Sequence, residues 1–150
     1  MNTRSNNFMK PFSIIMIIVC ALLASNTRAP AGDFDGTKPF ICSVVQVIVC
    51  PRDGEIEKDT AENVNLPQFF FINVEKKTVS AKGSKGEKRE TAIENVRHEN
   101  GTLILEGVQL GKAWHAVINE QTGKTTLTGA TDDTAFVVFA ACTQNQGSGL

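Results

Sequence analysis

Proton chemistry near neutral pH rests in this chain on two histidines, His98 and His115. His98 stands beside a turn, in Arg97-His98-Glu99-Asn100, and His115 follows Trp114 with the opposite strand parity. A catalytic zinc site wants three protein ligands at defined spacing, and the chain has no H-x-x-x-H or C-x-x-C pair. Cys50 or Cys142 with either histidine would make a nucleophilic pair only if the fold brought them within hydrogen-bond reach. Gly107-Val108-Gln109-Leu110-Gly111-Lys112-Ala113 has three residues between its glycines where a phosphate loop has four, and it lacks the Ser or Thr for magnesium. Gly123-Lys124-Thr125 lacks the upstream glycine, so both runs read as turns. Asp33-Phe34-Asp35-Gly36 begins like a calcium loop, but the third acid and the distant glutamate are missing, with Cys42 six residues after Gly36. No G-x-S-x-G elbow, cofactor motif or metal-ligand set stands in the chain. The reading is a non-catalytic protein.

The segments that would position these residues begin with an N-terminus built like a secretory signal. Arg4 and Lys10 precede an apolar run from Phe12 to Ala24 broken only by Ser13, and Ala29-Pro30-Ala31 forms an A-x-A site. Cleavage is expected after Ala31, with Ala24 as second choice. The thirteen-residue run falls short of the ~20 residues that span a bilayer, and Val19 occupies the place where a lipid anchor on Cys20 wants a small residue. Residues 1–31 are therefore read as a cleaved signal peptide, 32–143 as one β domain and 144–150 as a flexible tail. The expected location is periplasmic or extracellular, with no stable membrane span after cleavage.

Loss of Arg4, Lys10 and Arg28 leaves 12 Lys+Arg against 16 Asp+Glu, a net charge of −4. That balance gives no reason to expect nucleic acid as a partner. Lys76, Lys77, Lys82, Lys85, Lys88 and Arg89 form a basic run, but Glu75, Glu87 and Glu90 flank it and no aromatic is interleaved. Such a cluster could meet an anionic surface, a lipid head group or an acidic polysaccharide, but a solvated loop is the expected reading.

Export favours one disulfide among Cys42, Cys50 and Cys142. In one strand, residues 42 and 50 would lie ~26 Å apart, and even in a helix ~12 Å, whereas a disulfide tolerates at most ~7 Å between Cα atoms. Unless that segment turns back, the bridge involves Cys142.

Residues 32–38 read as a loose lead-in. Phe40 to Cys50 is dense in β-branched residues and closed by Pro51, which marks a buried strand. Arg52 to Asn65 is polar, with room for one helical turn from Asp59 before Pro67. Strands follow at Phe69–Val74, Thr78–Ser80, Thr91–Arg97, Thr102–Val108, Ala113–Asn119, Thr125–Gly129 and Ala135–Cys142. Asn100-Gly101 is the strongest hairpin signal among the turns. Followed by Thr102 it also spells a glycosylation sequon, relevant only in a eukaryotic secretory pathway.

About eight strands with short connections predict an all-β, antiparallel up-and-down meander. Several strands are apolar on both faces: Phe136, Val138 and Cys142 share one parity, Val137 and Phe139 the other. That points to a small barrel, partly covered by residues 52–67, or a barrel-like sandwich. An even strand number closing on itself sets the first strand antiparallel to the last. Cys42–Cys142 is then the expected closing bridge, with Cys50–Cys142 as the alternative. Trp114 reads as a core residue. If the barrel keeps a cavity, Trp114 with Phe70, Phe136 and Phe139 is its expected lining, with room for one small ligand.

Asn65-Leu66-Pro67-Gln68-Phe69-Phe70 running into Ile72-Asn73-Val74 resembles a set of small, exported, uncharacterised bacterial proteins. So do Leu103-Ile104-Leu105-Glu106-Gly107, Trp114 and the ending Phe136 to Thr143. The resemblance implies a bacterial envelope location and brings no activity with it. The strand count is similar to calycin-type barrels, a likeness of fold alone. The expected function is binding of a small molecule or of an envelope protein or polymer. A protein-interaction or inhibitor module and a small hydrolase or redox protein are the alternatives. An interaction module should expose an apolar patch, whereas a ligand binder should hold an apolar cavity.

Overall fold

The computed structural model describes residues 32–83 and 86–145. The expected signal peptide, Lys85 and residues 146–150 lie outside them. Among the described residues there is no helix, and none is long and apolar enough to cross a membrane. The described residues form ten strands: β1 (Phe40–Pro51), β2 (Glu57–Asp59), β3 (Phe69–Asn73), β4 (Thr78–Lys82), β5 (Lys88–Ala92), β6 (Asn95–Glu99), β7 (Thr102–Gln109), β8 (Lys112–Asn119), β9 (Lys124–Ala130) and β10 (Thr134–Gln144). They make one antiparallel sheet in the order β5-β4-β3-β1-β10-β9-β8-β7-β6, with β2 on β1, curled into a half-barrel.

The first and last strands meet at the centre of this sheet. β1 pairs with β10 along its whole length, and Cys42 lies directly opposite Cys142, to which it is disulfide-bonded. The alternative bridge from Cys50 does not form. Cys50 is a free thiol opposite Ala135, near the other end of β1. The other edge of β1 changes partner midway: Phe40–Ser43 pair with β3, and Val47–Val49 pair with β2. Between these lies a β-bulge. Val44 faces Ala140 and Gln46 faces Phe139, leaving Val45 unpaired and 71% exposed. The extra residue switches the inward parity of β1, so the buried row Phe40, Cys42, Val44 continues through Val47.

Two strands more than the expected eight are present. β2 is a short pairing inside the polar 52–67 segment. The single strand expected over Thr91–Arg97 is two, β5 and β6, broken at Ile93 and Glu94. The Ile93 N–H donates to Lys77 O (2.9 Å) and the Glu94 N–H to Glu106 O (2.8 Å). One corner residue thus extends the β4–β5 ladder and the next extends β6–β7. Ile93 itself is buried, so this two-residue corner joins the two edges of the curled sheet. β10 runs on through Gln144 opposite Phe40, where the tail was expected to begin.

The lead-in at residues 32–38 is also not loose. Phe34 is 8% exposed and sits edge-on to Phe40 at 5.7 Å between ring centroids. Its N–H donates to Glu120 O (2.9 Å). Gly123, at φ +67°, leaves the space: a Cβ there would lie 2.9 Å from the Phe34 ring. Asp35 accepts hydrogen bonds from the Thr37 N–H (2.9 Å) and hydroxyl (2.6 Å), closing the turn. One phenylalanine among Gly and Asp gives no periodic signal, so its burial follows from the cavity it fills rather than from its neighbours.

The core falls into two parts. The floor gathers Phe34, Phe40, Ile72, Ile93, Leu103, Leu105 and Ile118 around the disulfide. The second part gathers Val44, Val47, Ala61 and Val138 beneath Val64 and Leu66 of the covering loop. That loop ends in a capping turn, not a helix: Asn65 is at φ +53°, and Leu66 and Asn65 N–H donate to Ala61 O and Glu62 O.

Removing the bridge should weaken the centre of the sheet. The Cys42→Ala/Cys142→Ala variant is expected to lose ~4–5 kcal/mol in urea unfolding, the chain-entropy value for a closure across 100 residues. A loss below ~1 kcal/mol would contradict a stapling role. Asp35 generates a second prediction. The Thr37 hydroxyl holds its carboxyl below the ordinary 3.8, against the opposing effect of burial, with the Thr37 N–H adding to the lowering. A depressed acid stabilises fully above its unfolded value and loses that contribution as pH falls through the folded one. Asp35→Ala should therefore flatten the acid limb of a urea-midpoint profile below about pH 4 and leave its slope near neutrality unchanged.

Candidate functional site

Inward positions of the curled sheet alternate between large and small residues, and the small ones leave space. Ala81 on β4, Ala116 on β8, Gly129 on β9 and Ala140 on β10 all border a pocket of about 720 Å³. That is within the range of small-ligand sites. Its floor is Cys42 of the disulfide with Leu105, Ala116 and Ala140. Its walls are Phe70, Ile72, Val79, Leu127, Phe136 and Val138. Val64, Leu66 and Pro67 of the covering loop complete the enclosure.

Trp114 stands on the wall toward the mouth. Its indole N–H donates to the Thr91 hydroxyl (3.3 Å), which donates in turn to Val108 O (3.3 Å), bridging β5 to β7 and β8. The residues opposite Trp114 on both neighbouring strands are glycines, Gly107 and Gly129. A Cβ on Gly107 would lie 2.5 Å from the indole ring and 2.5 Å from Ala92 O, so the ring's position depends on that glycine. Thr125, the one buried polar side chain among the described residues, is held internally: its hydroxyl donates to Gly123 O (3.2 Å) and lies 3.1 Å from Cys142 Sγ. No buried side-chain nitrogen or oxygen among the described residues lacks a partner.

Polar groups gather at the mouth instead. Lys88, Arg89, Glu90 and Thr91 of β5 face Gln109, Leu110 and Lys112 of the β7–β8 hairpin. Arg89 ties the covering loop to β5 by donating to Asn65 O (2.8 Å) and Asn65 Oδ1 (2.9 Å), and it pairs with Glu87 (2.6 Å). Lys88 pairs with Glu90 at 2.9 Å.

Three of the four aromatic residues expected from sequence, Trp114, Phe70 and Phe136, meet in this pocket. Phe139 does not. It lies one strand position out of phase with Val138, on the convex face opposite Gln46, and is 40% exposed. The histidines also lie outside the pocket. His98 Nδ1 is 2.7 Å from Glu120 Oε1, and His115 Nε2 is 3.8 Å from Glu106 Oε1, which also receives Arg97. Neither pairs with a thiol, since Cys142 is in the disulfide and Cys50 faces Ala135. Among the described residues no three His, Cys, Asp or Glu are grouped to hold a metal ion. The glycine–lysine run at 107–113 is the β7–β8 hairpin, with Leu110 and Gly111 at φ +51° and +76°. The basic run is split, with Lys76 and Lys77 at the β3–β4 turn and Lys88 and Arg89 at the mouth.

The basic run draws attention to Arg89 and the glycine–lysine run to Leu110 and Lys112, but only the curl of the sheet brings β5 and the β7–β8 hairpin together at one mouth. One local signal existed: Leu110 occupies a turn position that favours Asn or Gly. The chain matches no protein-family model and no curated protein sequence.

Gly107→Ala should displace the indole. It is expected to cost ~1–3 kcal/mol of stability through overpacking. It should also red-shift the emission of Trp114, the single tryptophan. An unchanged emission maximum would show that the ring does not depend on this glycine.

Proposed function

We propose that this protein is an exported, non-catalytic binding module that holds a small, largely apolar ligand in the half-barrel pocket. The observation that carries the reading is the 720 Å³ space itself, walled by Phe70, Trp114 and Phe136 and floored by the disulfide. A mouth-opened space of this size bordered by aromatic side chains matches the volume and lining of small-ligand sites. Export is supported by the basic, apolar and small-residue order of residues 1–31 and by the Cys42–Cys142 bridge, which suits an oxidising compartment such as the periplasm or the cell exterior.

A second reading, a protein-interaction module, draws on the convex face. Phe69, Val45, Phe139 and Val117 are exposed there, on β3, β1, β10 and β8.

Titration with the neutral apolar fluorophore N-phenyl-1-naphthylamine tests the pocket, with energy transfer from Trp114 as the signal. Phe136→Asp should weaken binding by roughly tenfold or more, since an aromatic contact of this kind is worth ~1.5–3 kcal/mol. Phe139→Ser should leave it within about twofold. Equal effects of the two substitutions, or no binding at all, would turn the assignment toward the convex face. Native mass spectrometry of protein from an exporting host, beginning at Gly32 and carrying extra non-covalent mass, would support both the processing and the guest.

A further inference from the structure

We infer that the guest is an amphiphile with an anionic head, its apolar body in the half-barrel and its head held at the mouth by Lys112. The inference rests on the pocket reading above. Two features of the site carry it.

The first is where polarity is placed. Inside the pocket Thr125 spends its hydroxyl hydrogen within the protein, and the floor and walls around it are apolar, so the interior offers no spare side-chain donor. A ligand with a polar group in its middle would bury that group unpaired, which is costly. Polar groups converge only at the mouth, so a ligand that fits is apolar along its body and polar at one end.

The second is the sign of the charge left over there. The two carboxylates lining the mouth are both matched: Glu87 by Arg89 and Glu90 by Lys88. Lys112 lines the same mouth and makes no ion pair among the described residues. The neighbouring β9–β10 turn carries Asp132 and Asp133, and Asp133 faces Arg52 at 3.9 Å. The domain is net negative, yet the unmatched charge lining its pocket is positive.

Leu110 fits the same picture. It is 93% exposed, at φ +51°, a backbone conformation that penalises a leucine, and no burial compensates for it. It forms an apolar lip two residues from Lys112. An amphiphile entering the mouth would cover the leucine with its chain and meet the ammonium with its head.

Competition against the neutral naphthylamine probe tests this, using dodecanoate, dodecan-1-ol and dodecyltrimethylammonium below their micelle concentrations. Dodecanoate should bind roughly tenfold tighter than the alcohol, a typical value for one hydrogen bond to a charged group, and the cation weakest. Lys112→Gln should bring dodecanoate down to the level of the alcohol without changing the alcohol, and Lys112→Arg should restore the preference. Leu110→Asn should weaken dodecanoate and dodecan-1-ol by the same factor while raising folding stability. Equal affinity for the three compounds, or a carboxylate preference that survives Lys112→Gln, would overturn the inference and leave the pocket reading standing. Failure of every compound and of the probe would overturn the pocket reading itself. Dodecyl phosphate in solution and phosphatidylglycerol vesicles distinguish the two sources of an anionic head. Displacement by the free compound alone assigns the site to soluble amphiphiles, and displacement by vesicles as well assigns it to a membrane lipid.

Discussion

The pairing of β1 with β10 is the interaction on which the rest of this structure depends. The two strands occupy the middle of the sheet, with four strands completing the order on the β10 side and three on the β1 side. Every inward row that builds the floor or the walls is measured from their shared register. The Cys42–Cys142 bridge fixes that register at one end, and the bulge at Val45 adjusts it halfway along. A slip of one residue would turn Cys42 and Phe40 outward and Ile41 and Ser43 inward. The bridge therefore selects a face as well as closing a loop.

Given that centre, the pocket follows from residue size. Small barrels fill their interiors with their own side chains. Here alanines and glycines interrupt the inward rows of β4, β8, β9 and β10, while Phe70, Trp114 and Phe136 stand around the gap. A concave space of this size persists only where its walls cannot close over it. Three constraints oppose collapse. The disulfide holds the floor, the Ile93–Glu94 corner joins the sheet edges, and Arg89 straps the covering loop to β5. The Thr91 hydroxyl spans the seam where no ladder forms.

Much of this was legible in the sequence, where local chemistry and the global fold agree. Asn100-Gly101 announced its hairpin and adopts the left-handed pair of dihedrals such a turn requires. Strand parity and closure favour Cys42 over Cys50 as the partner of Cys142 without settling it, and the polar 52–67 segment does cover the half-barrel. Trp114, Phe70 and Phe136 were assigned to the pocket from residue type. What escaped was set by tertiary geometry. The bulge at Val45 lies inside an unbroken run of β-branched residues, so nothing in the run reveals the change of phase. Ile93 sits in a continuous strand-like pattern, and the break there is forced by the need to serve two ladders. Phe139 shares its residue type with the pocket aromatics and differs from them only in parity. Phe34 is isolated among turn-forming residues, and the gap opposite Gly123 alone explains its burial.

The placement of the chain's first and last strands side by side also constrains the order in which the molecule can be made. A polypeptide emerging N-terminus first displays β1 about a hundred residues before its central partner is available. Until then β3 can pair along one edge of β1 while the other stays bare, and neither the floor nor the bridge can form. Contacts of such long sequence separation form late and slowly. The floor and the bridge therefore wait for nearly the whole chain, whichever local hairpins form before them. The last strand to be made is the one that completes the centre of the sheet and brings Cys142 opposite Cys42.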